Sequence, residues 1–223
     1  ASSISACAAV TMRRIATIAL LVLVAAPAHA DAAADAAAAR RVQAAFSDLS
    51  SLRAEFRQTV TGADGKLIER AEGTMSLARP GRFRWDYRVP EQLIVSDGTT
   101  VWLHDIGLEQ VTIRPAAELI VGTPAMLLAG ERDLQVEFEI ADAGLQDGLA
   151  WSLLTPRRVD GDFRALRLGF AGGELRRMIL LDRLGQTTEI GFERIERNPR
   201  LEASQFSFTP PAGVDVVGRA PSG

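Results

Sequence analysis

From Ser51 onward, apolar and polar residues alternate with a period of two, in short runs broken by turn signals. Ala54, Phe56, Gln58 and Val60 alternate with Arg53, Glu55, Arg57 and Thr59; Phe83, Trp85 and Tyr87 alternate with Arg82, Arg84, Asp86 and Arg88. Successive side chains of a strand point to opposite faces, so each run presents one apolar and one polar face. A chain of such runs folds as a sheet with one buried side.

The punctuation agrees. Gly62-Ala63-Asp64-Gly65, Arg79-Pro80-Gly81, Ala171-Gly172-Gly173 and Arg183-Leu184-Gly185 are turn clusters, and Asp97-Gly98 is a hairpin turn between residues 93–95 and 100–104. Further strands are expected over 67–77, 109–114, 136–140, 150–154, 165–170, 175–181 and 187–195. Residues 142–148 read as a polar loop. Met178-Ile179-Leu180-Leu181 breaks the alternation and reads as buried on both faces. About ten or eleven short strands at meander spacing favour a curved antiparallel sheet or barrel. Residues 31–50 differ: Val42, Ala45, Phe46 and Leu49 fall at helical spacing, which predicts one amphipathic helix. Residues 115–119 and 124–129 each open with Pro, as first helical turns do. The second, with Met126, Leu127 and Leu128, is apolar enough to lid an apolar cavity.

The N-terminus sets the compartment. Met12-Arg13-Arg14, an uncharged apolar run to Ala26, and Ala28-His29-Ala30 form the pattern of a secretory signal peptide. The run is shorter than the roughly 20 apolar residues that span a bilayer. Residues 1–30 are expected to be upstream sequence and leader, those before Met12 lying ahead of the natural start, and 31–223 one domain. Ile4-Ser5-Ala6-Cys7 has the small-residue context of a lipidated cysteine, but no apolar run precedes it. Cys7 leaves with the leader, so the domain relies on its core without disulfides. Removing Arg13 and Arg14 from the 25 basic residues leaves 23 against 28 acidic ones, a balance unsuited to nucleic acid.

Catalytic parts are missing. His104 is the one histidine beyond the leader, and there is no GxSxG elbow, P-loop or dinucleotide glycine motif. One histidine and no cysteine make a zinc site or a thiol nucleophile improbable. Glu137/Glu139 and Glu193/Glu196 read as a solvated outer face, as do Arg82, Arg84 and Arg88. The expectation from the residues is a secreted β-barrel with room for an apolar pocket, and neither an enzyme nor a metal or cofactor protein is expected.

Six elements follow one another along the chain: Phe56-Arg57-Gln58; Ala78-Arg79-Pro80-Gly81-Arg82-Phe83-Arg84-Trp85; Val95-Ser96-Asp97-Gly98-Thr99-Thr100-Val101-Trp102; Leu108-Glu109-Gln110-Val111; Gly122-Thr123-Pro124-Ala125-Met126-Leu127-Leu128; and Phe206-Ser207-Phe208-Thr209-Pro210-Pro211-Ala212-Gly213-Val214-Asp215-Val216. In this order they resemble the periplasmic outer-membrane lipoprotein carrier (LolA) family. The resemblance implies a mainly β fold: a half-open, incomplete antiparallel β-barrel with short lid helices and an N-terminal helix. It implies a monomeric carrier that takes acylated lipoproteins from an inner-membrane lipoprotein-releasing ABC transporter to an outer-membrane lipoprotein receptor. It places Phe83, Trp85, Met126, Leu127 and Leu128 at the lipid cavity and lid, and makes Arg79 the lid latch. This chain has His104-Asp105-Ile106-Gly107 where relatives often carry an aromatic, and Ala125 where a Phe can occur. A receptor of the same half-barrel would need a lipidated cysteine where Asp31 stands, a lipid-sensing regulator usually carries a second domain, and a lipid enzyme would need a nucleophile and base. N-terminal sequencing of exported protein is expected to start at Asp31; a retained leader or an acylated Cys7 contradicts this reading.

Overall fold

The computed structural model describes residues 28–119, 128, 134–158 and 163–220. Helix α1 (Ala28–Ser47) leads into β1 (Ser51–Thr61), β2 (Leu67–Ala78), β3 (Arg82–Val89), β4 (Glu91–Asp97), β5 (Thr100–Asp105) and β6 (Gln110–Pro115). The short helices α2 (Ala116–Leu119) and α3 (Leu134–Glu137) precede β7 (Phe138–Gln146), β8 (Leu149–Pro156), β9 (Phe163–Ala171), β10 (Glu174–Asp182) and β11 (Thr187–Arg197). A 3-10 turn (Ala203–Phe206) and β12 (Asp215–Gly218) end the described chain. All the described strands lie in one sheet of order β12-β6-β5-β4-β3-β2-β1-β11-β10-β9-β8-β7. Two meanders are thus joined edge to edge where β1 pairs β11, and β7 and β12 are the free edges of an open barrel.

The period-two pattern becomes the two faces of this sheet. Phe83 and Trp85 are buried while Arg82 and Arg84 are not, and Phe56 is buried between Glu55 and Arg57. The apolar face gathers Phe56, Met75, Phe83, Trp85, Leu166, Leu168, Met178, Ile190 and Phe192 into one cluster, joined by Val42 and Ala45 of α1. Met178 and Leu180 are buried, and Ile179 and Leu181 half-buried. On the opposite face charges pair across strands, Arg53 with Glu196, Arg57 with Glu193 and Glu55 with Arg194. Such exposed pairs contribute little each, about 0–1 kcal/mol. Arg84 donates to Asp86 at 2.7 and 2.9 Å, Arg88 lies 3.6 Å from Glu72, and Arg82 stacks over the Phe206 ring.

Helix α1 lies against the β7–β8 end of the sheet. Arg41 donates to the Trp151 carbonyl at 3.2 Å and Ser152 Oγ at 3.1 Å, and Asp35 accepts from the Asp142 backbone N–H at 2.8 Å. These bonds explain one departure from the sequence reading: residues expected as a loop, from Asp142, continue β7 to Gln146 past an irregularity at Asp142/Leu145. An edge strand needs only one neighbour, and Asp35 of α1 takes the Asp142 N–H at the irregularity. The strand also starts later than expected, since Val136 and Glu137 belong to α3. A further departure is β12, which pairs β6 in parallel. The tail leading to it crosses the polar face, where Phe208 meets Trp102 and His104 and Phe206 is 1 % exposed.

Two local devices set the geometry. Gly73 lies opposite both Phe56 and Tyr87, and a Cβ there would sit 1.9 Å from the Asp86 carbonyl oxygen and 3.0 Å from the Phe56 ring. In the β4–β5 turn, Asp97 Oδ1 accepts from Thr99 N, Thr99 Oγ1 and Thr100 N, each at 2.8 Å. Burial alone would push this carboxyl up, but the bonds from Thr100 and Thr99 outweigh it and hold it below its ordinary 3.8.

Gly73→Ala is expected to destabilise the fold by about 2 kcal/mol or more, because backbone must shift to admit the methyl; thermal unfolding measures it. Asp97→Ala is expected to cost about 0.5–1 kcal/mol at neutral pH, less than buried charge-assisted bonds contribute because the site is screened by solvent. A lowered carboxyl stabilises the fold above its ordinary pKa and loses that contribution as pH falls through the lowered value. The difference between Asp97→Ala and wild type should therefore shrink in acid, as denaturation at pH 7 and below pH 3 would show.

Candidate functional site

The concave face carries the chemistry. On it, the Phe56 ring lies 4.6 Å from Trp85 and 4.9 Å from Tyr87, centroid to centroid, and Trp85 stacks on Tyr87 at 6.1 Å. Gly73 makes this packing possible by leaving the space that Phe56 fills. Tyr87 reaches Gln58 Oε1 at 3.5 Å, and burial, aided by the charge of Glu69, pushes its phenol well above the ordinary value. The phenol is therefore neutral, and the wall it helps form is uncharged. Phe83, Trp85 and Leu128 belong to the same apolar cluster, 1, 2 and 1 % exposed. Of the other residues expected there, Met126 and Leu127 lie outside the described residues.

Arg79 stands at the rim. It follows the last residue of β2, and its backbone N–H donates to the Ser50 carbonyl at 2.9 Å. The adjoining turns are packed close: a Cβ on Gly81, whose φ is +65°, would lie 3.2 Å from the Gly98 Cα, and Ser96 Oγ donates to the Gly81 carbonyl at 2.9 Å. Held this way, the guanidinium donates through Nη1 to the Phe46 carbonyl at 2.9 Å and through Nη2 to the Leu128 carbonyl at 3.3 Å. It also lies 6.0 Å from the Phe46 ring centroid. One side chain thus ties the last turn of α1 to the segment at Leu128.

The last turn of α1 has other holders that sequence reasoning missed. Arg197, at the end of β11, donates to the Ala45 carbonyl at 3.0 Å. Asn198 donates through Nδ2 to the Asp48 carbonyl at 2.9 Å and accepts through Oδ1 from Ser50 N at 2.8 Å. Helix C-terminal carbonyls lack partners within the helix and carry partial negative charge, so arginine and amide donors suit them. No spacing marks Arg197 and Asn198, which lie about 150 residues from their acceptors. Beneath this turn is an apolar cleft of about 20 Å³, lined by residues including Phe46, Leu49, Leu128, Leu175 and Ile195. That is room for about one water, so this cleft as it stands does not hold an acyl chain.

A curved sheet, an apolar concave wall and a cover held by bonds to backbone carbonyls form a binding device for an apolar ligand. Comparison with known proteins agrees. The family model described as outer membrane lipoprotein carrier protein LolA matches residues 47–209. An outer-membrane lipoprotein carrier protein of Dechloromonas aromatica is 49% identical over 169 residues, covering 75% of this chain and 81% of the relative. One from Methylobacillus flagellatus is 46% identical over 178 residues, 79% of this chain and 87% of the relative. An uncharacterized conserved protein of Thermus thermophilus shares the fold, with a TM-score of 0.54 at 15% identity over 82% of this chain and 99% of that one. The chain belongs to the LolA family of outer-membrane lipoprotein carrier proteins.

Proposed function

We propose that this protein is a periplasmic carrier that shields the acyl chains of lipoproteins on its concave face. It receives them from an inner-membrane lipoprotein-releasing ABC transporter and surrenders them to an outer-membrane lipoprotein receptor. Phe83 and Trp85 form the wall, Leu128, with Met126 and Leu127, the lid side, and Arg79 is the latch. The observation that carries this reading is the pair of hydrogen bonds that Arg79 donates to the Phe46 and Leu128 carbonyls beside an apolar cluster.

The energetics fit a carrier. Burying an acyl chain is worth about 0.8 kcal/mol per methylene, so one long chain already exceeds about 10 kcal/mol and does not cross water unaided. A protein that merely sealed such chains away would not release them. A cover that closes favourably when empty returns part of that energy at delivery. Hydrogen bonds from a charged donor contribute about 1.5–3 kcal/mol each, enough to bias closure and small enough to break on loading.

Arg79→Leu removes those bonds from the empty, closed form and so favours the open, loaded form by the same amount. Loading from the inner-membrane complex should persist, while transfer to the receptor should slow about tenfold or more. Arg79→Lys should be intermediate, since an ammonium lacks the planar fork that reaches two carbonyls. A transfer assay with purified carrier, lipoprotein and receptor measures both; delivery by Arg79→Leu at the wild-type rate would make Arg79 a structural strand-end residue.

A further inference from the structure

Trp85 presents a buried donor with nothing to donate to. Its side chain is 2 % exposed, and Nε1 has no hydrogen-bond partner among the described residues. By contrast, the indole of Trp151 donates to the Gln146 carbonyl at 3.2 Å. The surroundings of Trp85 explain the difference: Phe56 at 4.6 Å, Tyr87 at 6.1 Å and, across the ladder, Met75 and Ile94. The Phe56 ring offers at best a weak π acceptor. A buried donor left unsatisfied costs about 1–3 kcal/mol, and such groups are rare enough in native folds to need a reason.

We propose that the Trp85 indole N–H is the polar anchor of the cargo site, donating to a neutral carbonyl at the head of a bound acyl chain. This inference rests on the carrier reading above. The chemistry of the pocket selects the acceptor. A carboxylate or phosphate would bring a charge into an apolar cluster, which costs far more than one hydrogen bond returns. A plain hydrocarbon offers no acceptor. An ester or amide carbonyl is neutral, accepts strongly, and lies where an acyl chain joins its carrier molecule. The indole therefore fixes how far along the wall the chain seats. It also distinguishes acylated molecules from free fatty-acid anions and from hydrocarbon. Because the N–H is unsatisfied in the empty form, the bond is gained on loading.

The test compares two glycerols of the same shape, 1,2-dioctanoylglycerol with ester carbonyls and its 1,2-dioctyl ether analogue without them. Displacement of bound N-phenyl-1-naphthylamine from the purified protein gives both affinities. Wild type should prefer the ester by about threefold to tenfold, the factor of one net hydrogen bond. In Trp85→Phe the ratio of the two should fall to about one, whatever the change does to each alone. Indole N–H resonances of protein labelled with nitrogen-15 give a second readout. Of the three tryptophans, the Trp85 signal, identified by its loss in Trp85→Phe or by selective labelling, should move downfield with the ester and not with the ether. Equal wild-type affinities together with an unmoved signal overturn the proposal, and this holds even if Trp85→Phe does not fold. Failure to bind the naphthylamine and both glycerols overturns the carrier reading itself.

Discussion

The pairing of β1 with β11 brings together two stretches of chain about 140 residues apart, placing Phe56 opposite Phe192 and Leu52 opposite Arg197. Without it there are two meanders, each with an apolar face too small to bury itself. With it there is one sheet whose curvature gathers both faces around a common core. The same pairing delivers Arg197 and Asn198 to the end of α1, while β2, on the other side of β1, delivers Arg79. The helix that covers the concave face is therefore held from both meanders at once. Closing so long a loop has an entropic cost that grows only slowly with its length, and the buried aromatic face repays it.

That architecture separates two kinds of stabilisation. The sheet is held by ladders and by apolar burial, neither of which needs to change for a guest to enter. The cover is held at its edge by a few bonds from arginine to backbone carbonyls, each worth a small number of kcal/mol. The proposed carrier needs this division: packing for a permanent wall, and directional bonds for a cover that can open and close. The outer face meets solvent instead. It carries cross-strand pairs such as Arg57 with Glu193, and the C-terminal tail lies over part of it through Phe206 and Phe208.

Much of this was legible in the residues, because it depends on neighbours. Strand alternation separates Phe83 and Trp85 from Arg82 and Arg84 with no knowledge of what packs on them, and the helical spacing of Val42, Ala45 and Phe46 does the same for α1. The Asp97-Gly98 turn announces itself because an aspartate satisfies its own following N–H groups. The candidate wall and Arg79 were marked by a run of family-like motifs. The identity of the Arg79 acceptors was not, since Phe46 and Leu128 offer only the backbone carbonyl that every residue has.

By itself, then, the sequence determined the period of most elements, the polarity of their faces and the absence of familiar catalytic motifs, all set within a few residues along the chain. Only the tertiary structure decided that β1 meets β11, that Arg197 and Asn198 secure α1, that β7 runs on past Asp142, whose N–H Asp35 of α1 takes, and that β12 adds in parallel to β6. It alone left the Trp85 N–H without a partner among the described residues. Pairing and hydrogen bonding between distant segments are chosen by the global balance of burial against chain entropy. That balance leaves little trace in the local pattern of a strand, where one satisfied backbone reads much like another.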